Sequence, residues 1–445
     1  MSESPPVISN QTWLEQLIKS RSELESPLSF WFWAGLISIS AVVKDSIWID
    51  RQIYKLYPNI YVMLHAESGL KKGPPIALAN KLVSSINNIE VIKGRSSVQG
   101  ILKQMGTGQT QPGGIVKTSS AVFICSSELT SSIVGDKVAT DILTDLYDRH
   151  YNIDNWKSLL KMESFELKNP TVIMFTATNE AHSSDFFASK DVQGGYFART
   201  FIIHESTANR DNSLLLPLRN PPDDNKTIEY LKKIAKLKGP FIPLATEKED
   251  DYHKFEWINP YGEKGFYSPA GILYDKWYYD FKKSIKEQVI KDETGTLNRF
   301  GDSVLKVAML LSLARDESMH IQESDMETAI LNCEKLVGNV RKTTLGSRGL
   351  SQTAAFKSQV IHELMARENQ PISKQILMKK MWMHYTGLDE FNEIMSTFTV
   401  SGLIEEHNIG NQIVYQMTDA EYNRWLHFFA GKMTKYKGDK NKEEK

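Results

Sequence analysis

"HAESGLKKGPPIALA" (His65–Ala79) follows directly on the apolar run "NIYVMLH" (Asn59–His65), and the two together decide the fold. An apolar run of strand length, a glycine-bearing turn and then "ALANKLVSSI", with apolar residues at helical spacing, describe a strand, a turn and a helix. Pro74 and Pro75 suit the first turn of that helix, whose N–H groups have no intrahelical partner to lose. The spacing predicts the helix over 73–86. A turn placed between a strand and a helix N-terminus is where converging backbone N–H groups and the helix dipole hold phosphate.

Three further runs have the same buried-strand character: "AVFICSSEL" (Ala121–Leu129), "TVIMFTATNE" (Thr171–Glu180) and "GYFARTFIIHE" (Gly195–Glu205). Continuous apolar runs separated by helical segments predict parallel strands covered on both faces, an α/β domain. Upstream, 12–25 and 27–44 read as helices, the second apolar all round and therefore buried. Residues 210–265 are proline-rich and then charged, which predicts little regular structure beyond one helix over 226–237. From 269 to 340 the pattern turns helical, and Ser324 with Glu327 forms a capping-box arrangement. After a linker at 343–353, residues 354–429 read as three helices followed by "LIEEHNIGNQIVYQMT", two strands about a turn at "NIGN". Three helices and a hairpin describe a winged helix.

The chain has 445 residues, enough for two or three domains, with 41% hydrophobic, 24% charged and 10% aromatic residues. A net charge of −1 gives no bulk attraction to nucleic acid or membrane, so any basic surface must be local. Leu28–Val43 is too short to span a bilayer, no signal peptide is visible, and a cytoplasmic protein is expected. Cys125 and Cys333 sit in apolar segments and are expected to be buried thiols in a reducing compartment. No His/Cys cluster has zinc spacing, and no nucleophile–base pair suggests another hydrolase chemistry.

Set against G-x-x-x-x-G-K-[ST], Lys72 takes the lysine position. Ala66 and Lys71 then occupy the two glycine positions, with Glu67, Ser68, Gly69 and Leu70 between them, and Gly73 stands where a hydroxyl is expected. Lys72 would reach β- and γ-phosphates, whereas Gly73 offers magnesium no oxygen and Pro74 and Pro75 remove two amide donors. Glu128, in the "SSE" that follows the apolar run from Ala121, is a candidate general base or water-positioning residue. Ser127 occupies the position of the usual aspartate. Asn179 or Thr178, at the end of "TVIMFTATN", could sense the γ-phosphate and orient the water. Arg199 in "GGYFARTFII" could point into a neighbouring subunit's site and neutralise transition-state charge, and Arg299 could reach a γ-phosphate from the helical segment.

This set, in this order, resembles AAA+ ATPases, most closely the replicative primase/helicase-like ATPases of phages and mobile elements, which are distantly similar to minichromosome-maintenance helicases. The resemblance covers roughly 27–345 and is carried by "YPNIYVMLHAESGLKKGPP", "LTDLYDRHYN", "NPTVIMFTATNE" and "GGYFARTFII". It implies an α/β P-loop (AAA+-like) core at 56–210 preceded by an N-terminal helical region (1–55). A connector (211–268), an all-α lid (269–345), a C-terminal winged helix (351–430) and a disordered tail (431–445) follow. It also implies ATP hydrolysis, a homo-oligomeric ring, usually a hexamer, and translocation on single-stranded or forked DNA alongside a primase or other replication proteins. Mg²⁺ would arrive with ATP, with Ser127 and Glu128 near it and no direct protein ligand. Hairpins carrying Lys117, Lys157 and Lys161 would touch DNA phosphates, and Lys374, Lys379 and Lys380 would do so from the winged helix. The alternative is a DNA-binding initiator or scaffold with a degenerate P-loop.

Overall fold

The computed structural model describes residues 12–94, 96–107, 120–127, 137–148, 155–159, 164–179, 195–212, 222–287 and 295–347, and, beyond these, 360, 363–364, 367, 369–381, 388–410 and 412–423. The chain divides into two compact units, Met1–Thr343 and Thr344–Lys445.

The first unit opens with helices α1 (Trp13–Lys19) and α2 (Leu28–Val43) and strands β1 (Ile47–Asp50) and β2 (Lys55–Leu56). Next come β3 (Tyr61–Ala66), α3 (Gly73–Ser84), β4 (Glu90–Lys93), α4 (Val98–Thr107), β5 (Ala121–Ser126) and α5 (Lys137–Tyr147). A hairpin of β6 (Asn155–Leu159) and β7 (Ser164–Lys168) precedes β8 (Thr171–Asn179) and β9 (Thr200–His204). Strands β4, β5, β8, β3 and β9, in that order, form one parallel sheet.

The apolar runs form this sheet because both of its faces are covered. Val62, Leu64, Phe123, Phe175 and Phe201 join a cluster with α2 and α3. Their neighbours Tyr61, Met63, Val122, Met174 and Ile202 join a second cluster with α4 and α5. Strand side chains alternate between faces, so a strand buried on both sides must be apolar at every position. Helix α2 is buried almost all round, and its two interior hydroxyls are satisfied: Ser38 Oγ donates to Ala34 O at 2.7 Å and Ser40 Oγ to Pro58 O at 2.8 Å. Among the described residues no helix is long and apolar enough to cross a membrane. Both cysteines are free and buried, and burial pushes the Cys125 thiol up to about 12.

The stretch 211–268 is more structured than its sequence predicts. Besides α6 (Asn225–Ile234) it contains β10 (Gly239–Pro240), which pairs with β1, and an antiparallel sheet of β11 (Ala245–Thr246), β13 (Lys264–Tyr267) and β12 (Phe255–Ile258). Helices α7 (Pro269–Glu287), α8 (Thr296–Arg315) and α9 (Glu323–Ser347) follow. Ser324 lies inside α9 rather than capping it. The Gln322 amide donates instead to Asp325 Oδ2 at 2.9 Å, and that carboxylate also binds Arg315. Helix α8 packs through Val304, Leu305 and Ala308 into the cluster that contains α2.

The second unit has β14 (Ile372–Ser373), α10 (Lys374–Met381), α11 (Leu388–Val400), β15 (Ile404–Ile409) and β16 (Gln412–Met417), with sheet order β14-β16-β15. The hairpin expected at "NIGN" is present: Ile409 pairs with Gln412, and Gly410 takes the left-handed φ of 64° that such tight turns need. The tail at 431–445 lies outside the described residues.

Helix α1 crosses α2 at Gly35, where a Cβ would stand 2.4 Å from Leu14 Cδ1. Gly35→Val should therefore lower unfolding free energy by about 1–3 kcal/mol through overpacking. Urea denaturation checks this, and an unchanged midpoint would show that the α1–α2 contact has room to give.

Candidate functional site

Strand β3 ends at Ala66 and α3 begins at Gly73, so the turn predicted from sequence is where it was expected, at the carboxyl end of the sheet. The chain passes from β3 to β4 on one side of the sheet, while β9 lies on the other side of β3. Open α/β sheets bind ligands at such a reversal of strand order. Two residues give the turn its shape: Gly69 has φ 96° and Lys71 φ 48°. The first is native to glycine, whereas the second is uncommon for a side chain that is neither Asn nor Asp. Lys71 is held there by its neighbours. Ser26 Oγ donates to Lys71 O at 2.8 Å, and Lys71 Nζ lies 3.4 Å from Glu25 Oε2.

Lys72 Nζ donates to Ala66 O at 2.6 Å and to Glu67 O at 2.7 Å, which folds the ammonium back over the turn. The donors expected around a phosphate are fewer than usual. The Lys71 amide donates to Gly69 O at 2.8 Å, and Pro74 and Pro75 have no N–H. A Cβ at Gly73 would meet nothing within 4 Å, so the missing hydroxyl reflects residue choice and not lack of room.

Asn179 pairs in register with Ala66 on the adjacent strand β8, which places it at the height of the turn. Thr178 pairs with His65 one step below. Ser127 follows the end of β5, one strand further out, and is exposed. Glu128 lies outside the described residues. Among the described residues no group of three or more His, Cys, Asp or Glu side chains could hold a metal ion.

His65, next to last in β3, pairs in register with His204, the last residue of β9, a pairing that sequence reasoning missed. His65 Nδ1 and His204 Nδ1 are 2.9 Å apart, and the Glu205 amide donates to His65 O at 3.2 Å. Burial, then the charges of His204 and Lys72, lower the His65 pKa to about 4.

Arg199 and Arg299 lie elsewhere. Arg199 directly precedes β9, and Thr200 pairs with Tyr61 at the amino end of β3. Five strand steps separate Tyr61 from Ala66, about 16 Å at ~3.3 Å per residue. Both arginines bind Asp148, which follows α5: Arg199 through Nη2, and Arg299 through Nη1 at 2.9 Å. Arg199 Nη1 also donates to Gly195 O at 2.6 Å. Arg199 is buried, while the Arg299 side chain is 42% exposed. Burial, then the charge of Arg299, lowers the Arg199 pKa to about 10. Within one chain, therefore, Arg299 does not reach the Lys72 turn from the helical segment. It joins Arg199 at the opposite end of the sheet.

The neighbouring Lys306 is buried, donates to Asn59 O at 3.0 Å and Asn59 Oδ1 at 2.9 Å, and lies 3.8 Å from the Tyr147 ring centroid. Burial lowers its pKa to about 7, against the pull of Asp302.

Of the lysines expected at DNA, Lys117 and Lys161 lie outside the described residues. Lys157 lies in the β6–β7 hairpin, paired in register with Glu166. In the second unit Lys374 Nζ donates to Asn392 Oδ1 at 2.5 Å, Lys380 pairs with Glu363, and Lys379 is exposed. Neither a protein-family model nor a curated protein matches the chain.

Asp148→Ala should destabilise the fold by about 3 kcal/mol, because it strips a buried guanidinium of its counter-charge. Arg299→Ala should change stability by no more than about 1 kcal/mol, as exposed pairs do. Equal effects in urea titrations would show that Arg199 finds another partner.

A second expectation concerns pH. His65 is harder to protonate in the folded chain than in the unfolded one. Its contribution to stability is therefore complete above pH 6.5 and declines as pH falls toward 4. His65→Gln should flatten the dependence of the melting temperature on pH across that window. The same slope in both proteins would assign the effect to other groups.

Proposed function

We propose that this chain is an ATP-dependent DNA translocase of the AAA+ helicase class, working in the cytoplasm as a homo-oligomeric, hexameric ring. One observation supports it above the others. A single parallel sheet carries Lys72 at its carboxyl end and the Arg199–Asp148–Arg299 group at its amino end. Each end has one part of a polyphosphate site. Head-to-tail association of identical subunits brings the unlike ends together, and such heterologous contacts close into rings.

In this reading Lys72 binds the β- and γ-phosphates of ATP, Asn179 orients the attacking water, and Glu128 accepts its proton. Arg299, with Arg199 behind it, neutralises charge from the next subunit. Among the described donors at the turn, the Lys72 ammonium fits an ATP phosphate. Mg²⁺ would be held by ATP with Ser127 nearby and would supply charge neutralisation. The helices at 269–345 serve as the lid and the second unit as a winged helix, with Lys379 the most available of its three lysines. DNA passes the β6–β7 hairpin, which contacts phosphates and reads no sequence.

A second reading, a DNA-binding initiator or scaffold that does not hydrolyse ATP, draws on the turn itself, with its two prolines and without a hydroxyl at position 73.

DNA-stimulated ATP hydrolysis separates the two. Lys72→Ala and Glu128→Gln should each reduce turnover at least 100-fold, and Gly73→Ser should raise it by restoring the hydroxyl. Mixing Arg299→Ala subunits with Lys72→Ala subunits should recover part of the activity, since some interfaces then carry both intact groups. Absence of turnover in the parent chain, with DNA binding retained, would favour the scaffold. A monomeric mass in the presence of ATP and DNA would rule out the ring.

A further inference from the structure

A cavity of about 510 Å³ opens in the first unit between the β1–β2 segment, the sheet of β11–β13 and helices α7 and α8. Its size falls in the range of small-ligand sites, roughly 300–1,000 Å³. Four carboxylates line it, Asp50, Glu263, Asp275 and Asp302, against one guanidinium, Arg51. Neutral groups hold several of these acids in place. Asn259 Nδ2 donates to Glu263 Oε2 at 2.9 Å, Tyr267 hydrogen-bonds Asp275, and Tyr54 hydrogen-bonds Asp302. These contacts orient the carboxylates without cancelling their charge.

The rest of the wall is rich in tyrosine. Tyr274 and Tyr278 stack with ring centroids 5.7 Å apart, and Tyr261, 55% exposed, also lines the cavity. An excess of carboxylate repels phosphate and nucleic acid, so neither ATP nor DNA suits the space. A neutral apolar molecule would strand the acids in a drier environment. Tyrosine faces and carboxylates together attract an organic cation, with the rings covering its methylene groups.

We propose that this cavity binds an organic polycation: a ligand with two or more protonated amines or guanidinium groups joined by short apolar spacers. The chemistry is shared by a free polyamine and by adjacent basic side chains of a protein segment. The inference does not rest on the ATPase reading, because the residues it uses lie outside the Lys72 turn and the arginine pair.

Calorimetric titration of the full chain tests it, with spermidine and tetralysine amide as separate probes and adenosine and inorganic phosphate as controls. Saturable binding of either cation is expected, weakened at least tenfold by Asp275→Asn and by Tyr261→Ala. The second variant alters an exposed ring and leaves the fold intact. Spermidine binding would identify a free polyamine as a sufficient ligand, and binding of tetralysine amide alone would point to a protein segment. Burial raises the Asp275 carboxyl above its usual range, so cation uptake in mildly acidic buffer should release protons in the parent chain and fewer in Asp275→Asn. Binding of neither cation, binding unchanged in both variants, or binding of adenosine alone would overturn the proposal.

Discussion

The two-sided burial of β3 fixes where the chain can place the turn that follows it. Val62 and Leu64 pack against α2 and α3 while Tyr61 and Met63 pack against α4 and α5. A one-residue slip would exchange the two sets. Fully burying each large apolar side chain contributes about 1.5–3 kcal/mol, whereas a left-handed residue such as Lys71 costs on the order of 1–3 kcal/mol. The strand therefore outweighs the strain of its own turn. Ser26 and Glu25 then select this shape from others the turn could take, which ties the N-terminal helices to the candidate site.

The same sheet separates positive charge into two places. At one end the Lys72 ammonium donates to the Ala66 and Glu67 carbonyls. At the other, two guanidiniums share the Asp148 carboxylate and Lys306 lies close by. The second place also holds a further carboxylate, since Asp302 lines one cavity with Asp148, Arg199, Arg299 and Lys306. Under the ring reading a polyphosphate between two subunits would meet the Lys72 ammonium from one subunit and the Arg299 guanidinium from the next.

The parallel sheet was legible because strands covered on both faces have to be apolar at every position, as "YVML", "AVFIC" and "TVIMF" are. The sheet of β11–β13 was hidden for the converse reason. Phe255, Glu256 and Ile258 are all exposed, so β12 has no apolar side to show an alternation. The start of α9 was misplaced because Ser324–Glu327 satisfies a local pattern, while Asp325 is held by the distant Arg315 and takes the capping role itself. Lys72 and Arg199 were visible as members of an ordered set of motifs. The His65–His204 contact was not, since it requires knowing that β9 lies beside β3. The acidic cavity draws on segments between Ile49 and Leu305 and leaves no local trace.

Of the two arginines, sequence order points to Arg199 as the residue that would act across an interface, while Arg199 is buried and Arg299 half-exposed. Arg199 is buried against Asp148 and Gly195, and its Nε has no hydrogen-bond partner among the described residues. Withdrawing it would leave Asp148 and a cavity behind, a loss on the order of 3–5 kcal/mol. Arg299 starts 42% exposed, and leaving the same carboxylate costs about 1 kcal/mol or less. An incoming phosphate oxygen can offset that smaller amount with one charge-assisted hydrogen bond. Under the ring reading Arg299 is then the group that crosses, and Arg199 stays to hold Asp148 and the amino end of β9 in place.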